Sequence, residues 1–359
     1  MNITYIVGNG LDIQYGLKTK YKNFYEFQNE IYQRKKENEN YSNFIYEALF
    51  KDKVNDYENW SDFELAIGNL TKKNVEITKT NDTKEKFIND LSEVIDDLRF
   101  YLNDVQNSFE YEQNIIDFGE TFNRLISDLP KLNQPLVTKI FNENKFEHDI
   151  INLVTLNYTN VLDKLFEKST DTYRNNYRSN SNSTYNFIVR RPIHCHGSLE
   201  LNTILGVSNS GQISDEFSEE QSEFLIKNLS LSGVRENLDI RNEQIIKNSD
   251  LLIIYGASLG ETDSYLWDKV AKCSIERGVP IIIYHYVENF DAGNPIRVKR
   301  LYKFFEDRFV NNCGIDSELE QKLRQNIITV IGKSIFNLVE IEKDNKHELM
   351  ARINDSRAS

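Results

Sequence analysis

Ile3-Thr4-Tyr5-Ile6-Val7-Gly8-Asn9-Gly10-Leu11-Asp12 decides how the rest of the chain is read. An apolar run ends in Gly-Asn-Gly and then an acidic residue. The run has the character of a buried strand, and the glycines that of a tight turn where the backbone comes close to something. Ligands of open α/β sheets sit beyond the carboxyl ends of the strands. The turn is therefore expected to floor a nucleotide pocket, completed by later strand ends at Asn157, His196 and Gly256 to Asp263. A plain strand-to-helix connection is the alternative. The full dinucleotide fingerprint needs a third glycine, where this chain has Ile13. The fingerprint's acidic residue about 20 positions on is also missing, because Glu26 and Glu30 fall in a helical pattern. An ordinary Rossmann dehydrogenase is disfavoured.

Composition narrows the choice of partners. The chain has 359 residues and a formal net charge of −13, enough length for one large domain or two ordinary ones. That much acid argues against a broad nucleic-acid footprint, although it leaves room for a local basic groove. Cys195, Cys273 and Cys313 lie far apart with no C-x-x-C pair, which excludes a four-cysteine zinc site and a disulfide framework. A reducing cytoplasm fits. No secretory leader is expected, since the first residues lack a basic n-region. No run approaches the ~18 apolar residues of a membrane span.

Residues 21–150 read as helical, with aromatic-rich helices over 21–34 and 41–50. Ser61 as N-cap with Glu64 makes a capping box, and Trp60 against Leu65 a hydrophobic staple. Apolar residues at 87, 91, 94, 95, 98, 102 and 105 stripe one long amphipathic helix. A second spans 111–129 and stops at Pro130. Strand patterns follow at 150–156, 187–194, 203–207, 251–255 and 280–284. Helical ones lie between them at 161–168, 216–229, 238–247 and 264–277. Alternation with nearly all-apolar strands indicates a parallel sheet covered on both faces. Residues 171–185 read as mobile surface, and 207–214 as a loop that could serve as a lid. The expected organisation is an α/β nucleotide-binding core from 1–20 and 151–290, with a helical insertion over 21–150. A mainly helical extension over 291–359 has one strand-like run at 327–331 and a frayed tail from 344.

The strand ends carry the chemistry. Leu153-Val154-Thr155-Leu156-Asn157-Tyr158-Thr159 puts Asn157 at a carboxyl edge, where an amide can hold a ribose hydroxyl or a water, or else satisfy its own turn. Thr159 can cap the next helix. In Arg191-Pro192-Ile193-His194-Cys195-His196-Gly197-Ser198, strand geometry puts His194 and His196 on one face and Cys195 on the other. Gly197 allows close backbone approach, and Ser198 is a further polar reach. Only five histidines occur in the chain. A metal would need a third ligand, for which His285 is distant, so no metal is expected. His194 suits a satisfied core histidine. An unperturbed imidazole titrates near ~6.5 and suits a general base. In Gly256-Ala257-Ser258-Leu259-Gly260-Glu261-Thr262-Asp263 a strand again runs into small residues and a helix start. Backbone N–H groups there attract phosphate, Ser258 and Thr262 offer hydroxyls, and Asp263 is an N-cap or a ligand contact.

Five segments together resemble the bacterial abortive-infection AbiH family, in motif and in order over about residues 1–290. They are Val7 to Asp12 with Gly16-Leu17 and Tyr21, Trp60-x-x-Phe63-Glu64, Leu156-Asn157-Tyr158-Thr159, His194-Cys195-His196-Gly197, and Gly256 to Asp263. That family is similar to the sirtuin-like NAD-binding domains. The resemblance implies a Rossmann-like, sirtuin-like core. Gly8 to Asp12 would be its glycine-rich first turn, Asn157 its strand-end asparagine, and His196 the histidine of its His-Gly pair. In sirtuin-like defence proteins the asparagine and histidine carry NAD hydrolysis. His196 and Asn157 are accordingly expected to be catalytic. Gly8, Asn9, Gly10, Asp12, Gly197, Ser198, Gly256, Ser258, Thr262 and Asp263 are expected to bind the nucleotide. The chain lacks the four zinc cysteines of deacylating sirtuins, which argues against deacylation, and has Asn9 and Asp12 where their first turn has Ala and Ser.

Cleavage of the nicotinamide–ribose bond passes through an oxocarbenium-like state, as glycoside hydrolysis does. It needs a water or ribose hydroxyl held by a base, the expected roles of Asn157 and His196. The expected protein is a cytoplasmic anti-phage effector that cleaves NAD to nicotinamide and ADP-ribose. A phage protein is its expected trigger, and homo-oligomers are compatible with it. The alternative is a nucleotide-binding sensor without turnover. A nuclease fits least, for want of a paired-carboxylate metal motif.

Overall fold

The structure is a computed structural model and describes residues 1–38, 41–51, 60–144, 148–177, 185–233, 238–287 and 290–340. In chain order the strands are β1 (Asn2–Val7), β2 (Asn114–Ile116), β3 (His148–Thr155), β4 (Thr172–Arg174) and β5 (Asn186–Val189). Then come β6 (Ile193–His194), β7 (Leu251–Tyr255), β8 (Ile281–His285), β9 (Ile327–Ile331) and β10 (Leu338–Glu340). The main sheet runs β4-β5-β3-β1-β7-β8-β9, with β6 continuing beside β3 beyond β5. Every pairing in it is parallel except β4 with β5. The fold is thus mixed α/β around a mainly parallel sheet. Among the described residues no helix is long and apolar enough to cross a membrane.

Side chains alternate across the sheet, as strand geometry requires. Tyr5, Val7, Leu153 and Ile253 point to one face, where Phe118, Phe122, Phe141 and Phe336 cover them. Ile6, Val154, Leu252 and Ile254 point to the other, under Trp267, Phe309 and Leu323. A third core is helical. The stripe Phe87, Leu91, Val94 and Leu98 of the helix Asn81–Asn107 packs on Tyr21 and Phe24, on Phe63, and on Leu205, Phe217 and Leu225.

Several elements differ from the sequence reading, each for a local reason. The helix expected over 111–129 begins only at Phe118, because the Asp117 carboxylate accepts from the Glu120 amide and caps it there. Before it lies β2, a strand inside the supposedly helical region, paired antiparallel with β10. The strand expected over 187–194 breaks at Arg190-Arg191-Pro192, since proline cannot donate to a ladder. Residues 203–207 form no strand; Val207 makes a lone bridge to Ile226. That bridge also splits the helix expected over 216–229 into Glu219–Ser222 and Lys227–Gly233. Part of the loop 171–185 is β4. The run 327–331 is the edge strand β9 of the main sheet, so the sheet extends past residue 290.

The loop 207–214 is docked: Ser208 and Gln212 are buried, and Ser208 Oγ accepts from the Tyr265 amide. Thr159 does not cap its helix; its hydroxyl goes to Asp12. The side chains of Trp60 and Ser61 and the tail from 344 lie outside the described residues.

Candidate functional site

Register brings the strand ends to one level. Val7 lies opposite Thr155 on one side and Tyr255 on the other, and Thr155 lies opposite His194. Gly8, Asn157, His196 and Gly256 therefore leave the sheet along a single carboxyl edge. A cleft of about 1210 Å³ opens there. Asp12, Asn157, His196 and Asp263 line it, together with the turns that carry Gly8, Asn9, Gly10, Gly256 and Ser258.

The two glycine turns pack backbone against backbone. The Gly8 amide donates to Tyr255 O and the Gly10 amide to Gly256 O, each at 2.8 Å. A Cβ on Gly10 would lie 2.5 Å from the Gly256 Cα. Both amides are thus engaged inside the protein. Asn9 fastens the turn to Thr19, donating to its carbonyl at 2.8 Å and accepting from its hydroxyl at 2.6 Å.

Asp12 and Asn157 form one unit. Asn157 Nδ2 donates to Asp12 Oδ1 at 3.0 Å, and Thr159 Oγ1 donates to Asp12 Oδ2 at 2.5 Å. The Asn157 amide does not serve its own turn. Its Oδ1 is buried and has no partner among the described residues, and the residue, 8% exposed, lines the cleft. An unpaired buried carbonyl is costly, so this oxygen is available to a donor on a ligand or water. Burial pushes Asp12 up to about 6 against the two hydrogen bonds that favour its charge.

His194 and His196 have different jobs. His194 bonds at both nitrogens, to Asn157 O and to Asp163 Oδ2, each at 2.8 Å. It is the satisfied histidine of the pair, and it holds the Asn157 backbone. His196 is 4% exposed, a buried group at the strand end. Its Nε2 stands 3.2 Å from Asp263 Oδ1, within ion-pair range but without good hydrogen-bond geometry. Burial and the Lys227 charge pull its pKa down; Asp263, together with Cys195, outweighs both and lifts it to about 9. The imidazole is therefore mostly protonated at neutral pH.

Behind His196 lies a buried charge network. Lys227 Nζ donates to Asp263 Oδ1 at 2.8 Å and to Glu64 Oε2 at 2.7 Å, and Thr262 Oγ1 donates to the same Glu64 oxygen at 2.7 Å. Burial raises the Glu64 carboxyl against the pull of Lys227. Burial acts the same way on Asp263, but Lys227 and His196 overcome it and hold the carboxyl well below its usual range. Asp263 flanks the helix Ser264–Arg277 without a side-chain cap bond, because its carboxylate is used in this network.

Gly197, Ser198 and Thr262 are not among the lining residues. Gly197 has φ +74°, and a Cβ there would sit 1.7 Å from Asn202 O, so it serves a tight turn. Ser198 Oγ accepts from the Leu201 amide in that turn. Thr262 is turned toward Glu64.

Glu64 and Lys227 were missed as site residues. Glu64, which the sequence pairs with Ser61 in a capping box, accepts through Oε2 from Lys227 and Thr262. The available signal for Lys227 is a lone cation directly after the apolar run Phe224-Leu225-Ile226. Among the described residues no three of His, Cys, Asp and Glu converge as a metal site.

The family model described as bacteriophage abortive infection AbiH matches residues 4–285. No curated protein matches the chain.

Proposed function

The chain belongs to the bacteriophage abortive infection AbiH family, and from that premise we propose that it is an abortive-infection effector that cleaves NAD to nicotinamide and ADP-ribose. The observation that carries the reading is the pairing, in one cleft, of an unpartnered Asn157 Oδ1 with the buried His196–Asp263 couple. Departure of nicotinamide leaves a ribosyl cation. Asn157 Oδ1 accepts from the attacking water or a ribose hydroxyl and holds it in place, with Asp12 fixing which end of the amide faces the cleft. The buried Asp12 carboxylate favours positive charge nearby. His196 takes the proton. A cationic pyridinium close to the imidazole lowers its pKa and releases the base. By analogy with the sirtuin-like domains the substrate spans the cleft from the Gly8–Gly10 turn to the Gly256 turn. It meets cytoplasmic NAD, and a phage protein triggers it, with homo-oligomers as one route to control.

A second reading is a nucleotide-binding sensor without turnover. The protonated state of His196 at neutral pH favours it, since a base must first lose that proton. Incubating the purified protein with NAD and separating the products separates the two. Nicotinamide and ADP-ribose in equal amounts support cleavage; tight NAD binding with unchanged NAD supports the sensor.

A further inference from the structure

At the far side of the same cleft the carboxyl end of β8 faces the helix Pro295–Asn311. The His285 ring lies parallel to Phe305, with centroids 3.8 Å apart and planes 10° from parallel. His285 is 8% exposed, and its Nε2 has no partner among the described residues. Arg308 stands one helical turn from Phe305, on the same side of the helix, and also lines the cleft. It makes no ion pair among the described residues, and its neighbours Glu306 and Asp307 are taken by Arg324. A cation at the last turn of a helix can simply answer the helix dipole. That accounts neither for its position on the cleft wall nor for the orphaned imidazole beside it.

We propose that Arg308 and His285 form an anion subsite that takes a phosphate group of the ligand. The proposal rests on the nucleotide reading of the cleft and says which residues recognise the charge. A pyrophosphate needs donors, and the Gly8 and Gly10 amides are already bonded to Tyr255 and Gly256. Lys227 is neutralised by Glu64 and Asp263. Lys22, an exposed side chain, lies 3.9 Å from Glu26, and Lys20, the remaining lysine of the lining, stands beside the Gly8–Gly10 turn at the other end of the cleft, without the orphaned imidazole that flanks Arg308. Arg308 is a forked donor without a carboxylate, in a chain of net charge −13, which is the geometry that suits phosphate. Burial and the Arg308 charge hold His285 down to about 3, so it offers a neutral ring nitrogen beside the guanidinium.

Calorimetry with ADP-ribose and with inorganic pyrophosphate tests this on the full chain, using wild type, Arg308→Gln and Arg308→Lys. Wild type is expected to bind both probes. Arg308→Gln should weaken both by about tenfold or more and lower the salt dependence of binding; Arg308→Lys, which keeps the charge and loses the fork, should be intermediate in affinity with a wild-type salt dependence. A thermal melt of each variant verifies the fold. If Arg308→Gln melts early, Arg308→Lys decides through its affinity: weaker binding of both probes supports the subsite, and wild-type affinity overturns it. Equal binding by wild type and the folded variants overturns the subsite, as does a wild type that binds neither probe. NAD turnover is followed in the same samples. Pyrophosphate bound through Arg308 by a protein that leaves NAD intact would keep the subsite and discard NAD cleavage. Turnover with an unchanged KM in Arg308→Gln would do the reverse.

Discussion

Asn157 has one end of its amide tied and the other free. Asp12 takes Nδ2 and leaves Oδ1 to the cleft. Asp12→Ala should therefore leave NAD affinity within a few-fold of wild type and lower turnover by roughly 10²-fold, the scale of a lost positioning contact. Calorimetry beside product analysis reads both; equal loss of binding would make Asp12 a binding residue. His196 gives two opposite pH dependences. A base must be neutral, so kcat/KM is expected to rise with pH toward about 9. Stability runs the other way. The folded pKa lies above the unfolded value near ~6.5, so the folded chain holds the extra proton between the two. The stabilisation is fully present below pH ~6.5 and lost as pH rises through about 9. Urea unfolding at pH 6, 7.5 and 9.5 should show that decline in wild type and a flatter profile in His196→Gln.

At the scale of elements, the site is a product of register. Two turns, at Gly8–Gly10 and at Gly256, leave neighbouring strands side by side and interlock through backbone bonds. Gly10→Ala would place a methyl 2.5 Å from the Gly256 Cα. A loss of about 1–3 kcal/mol is expected from such overpacking, read by urea unfolding; an unchanged midpoint would mean the turns can part freely. Elements whose pattern is continuous were legible in the sequence. Leu251–Tyr255 and Ser264–Arg277 fall where the apolar period puts them. Residues 203–207 carry the same apolar character, yet a strand also needs a partner, and only Ile226 comes alongside. The strand ends at Asn157 and His196 were legible as polar breaks after apolar runs. Lys227 was not, because its charge is matched by Glu64 and Asp263, which lie 163 and 36 residues away in sequence.

Across the whole molecule, the helical layer and the sheet meet at that buried lysine. Glu64 comes from a helix of the aromatic layer, Lys227 from the segment after Val207, and Asp263 and His196 from the sheet edge. Lys227→Met should cost on the order of 3–5 kcal/mol, because it removes the cation shared by two buried carboxylates and leaves only the His196 imidazolium, beside Asp263. Glu64→Gln combined with Lys227→Met should recover part of that loss, and a double-mutant cycle on unfolding measures the coupling. Additive losses would mean the network does not join the two layers.

In the proposed reaction Asn157 works on bound NAD, and NAD turnover by wild type and Asn157→Ala, with calorimetry on both, is the decisive measurement. Wild type should release nicotinamide and ADP-ribose, and Asn157→Ala should keep near-wild-type NAD affinity with turnover lower by roughly 10²-fold or more. Nicotinamide release at the wild-type rate from Asn157→Ala, or none from either protein, would contradict it.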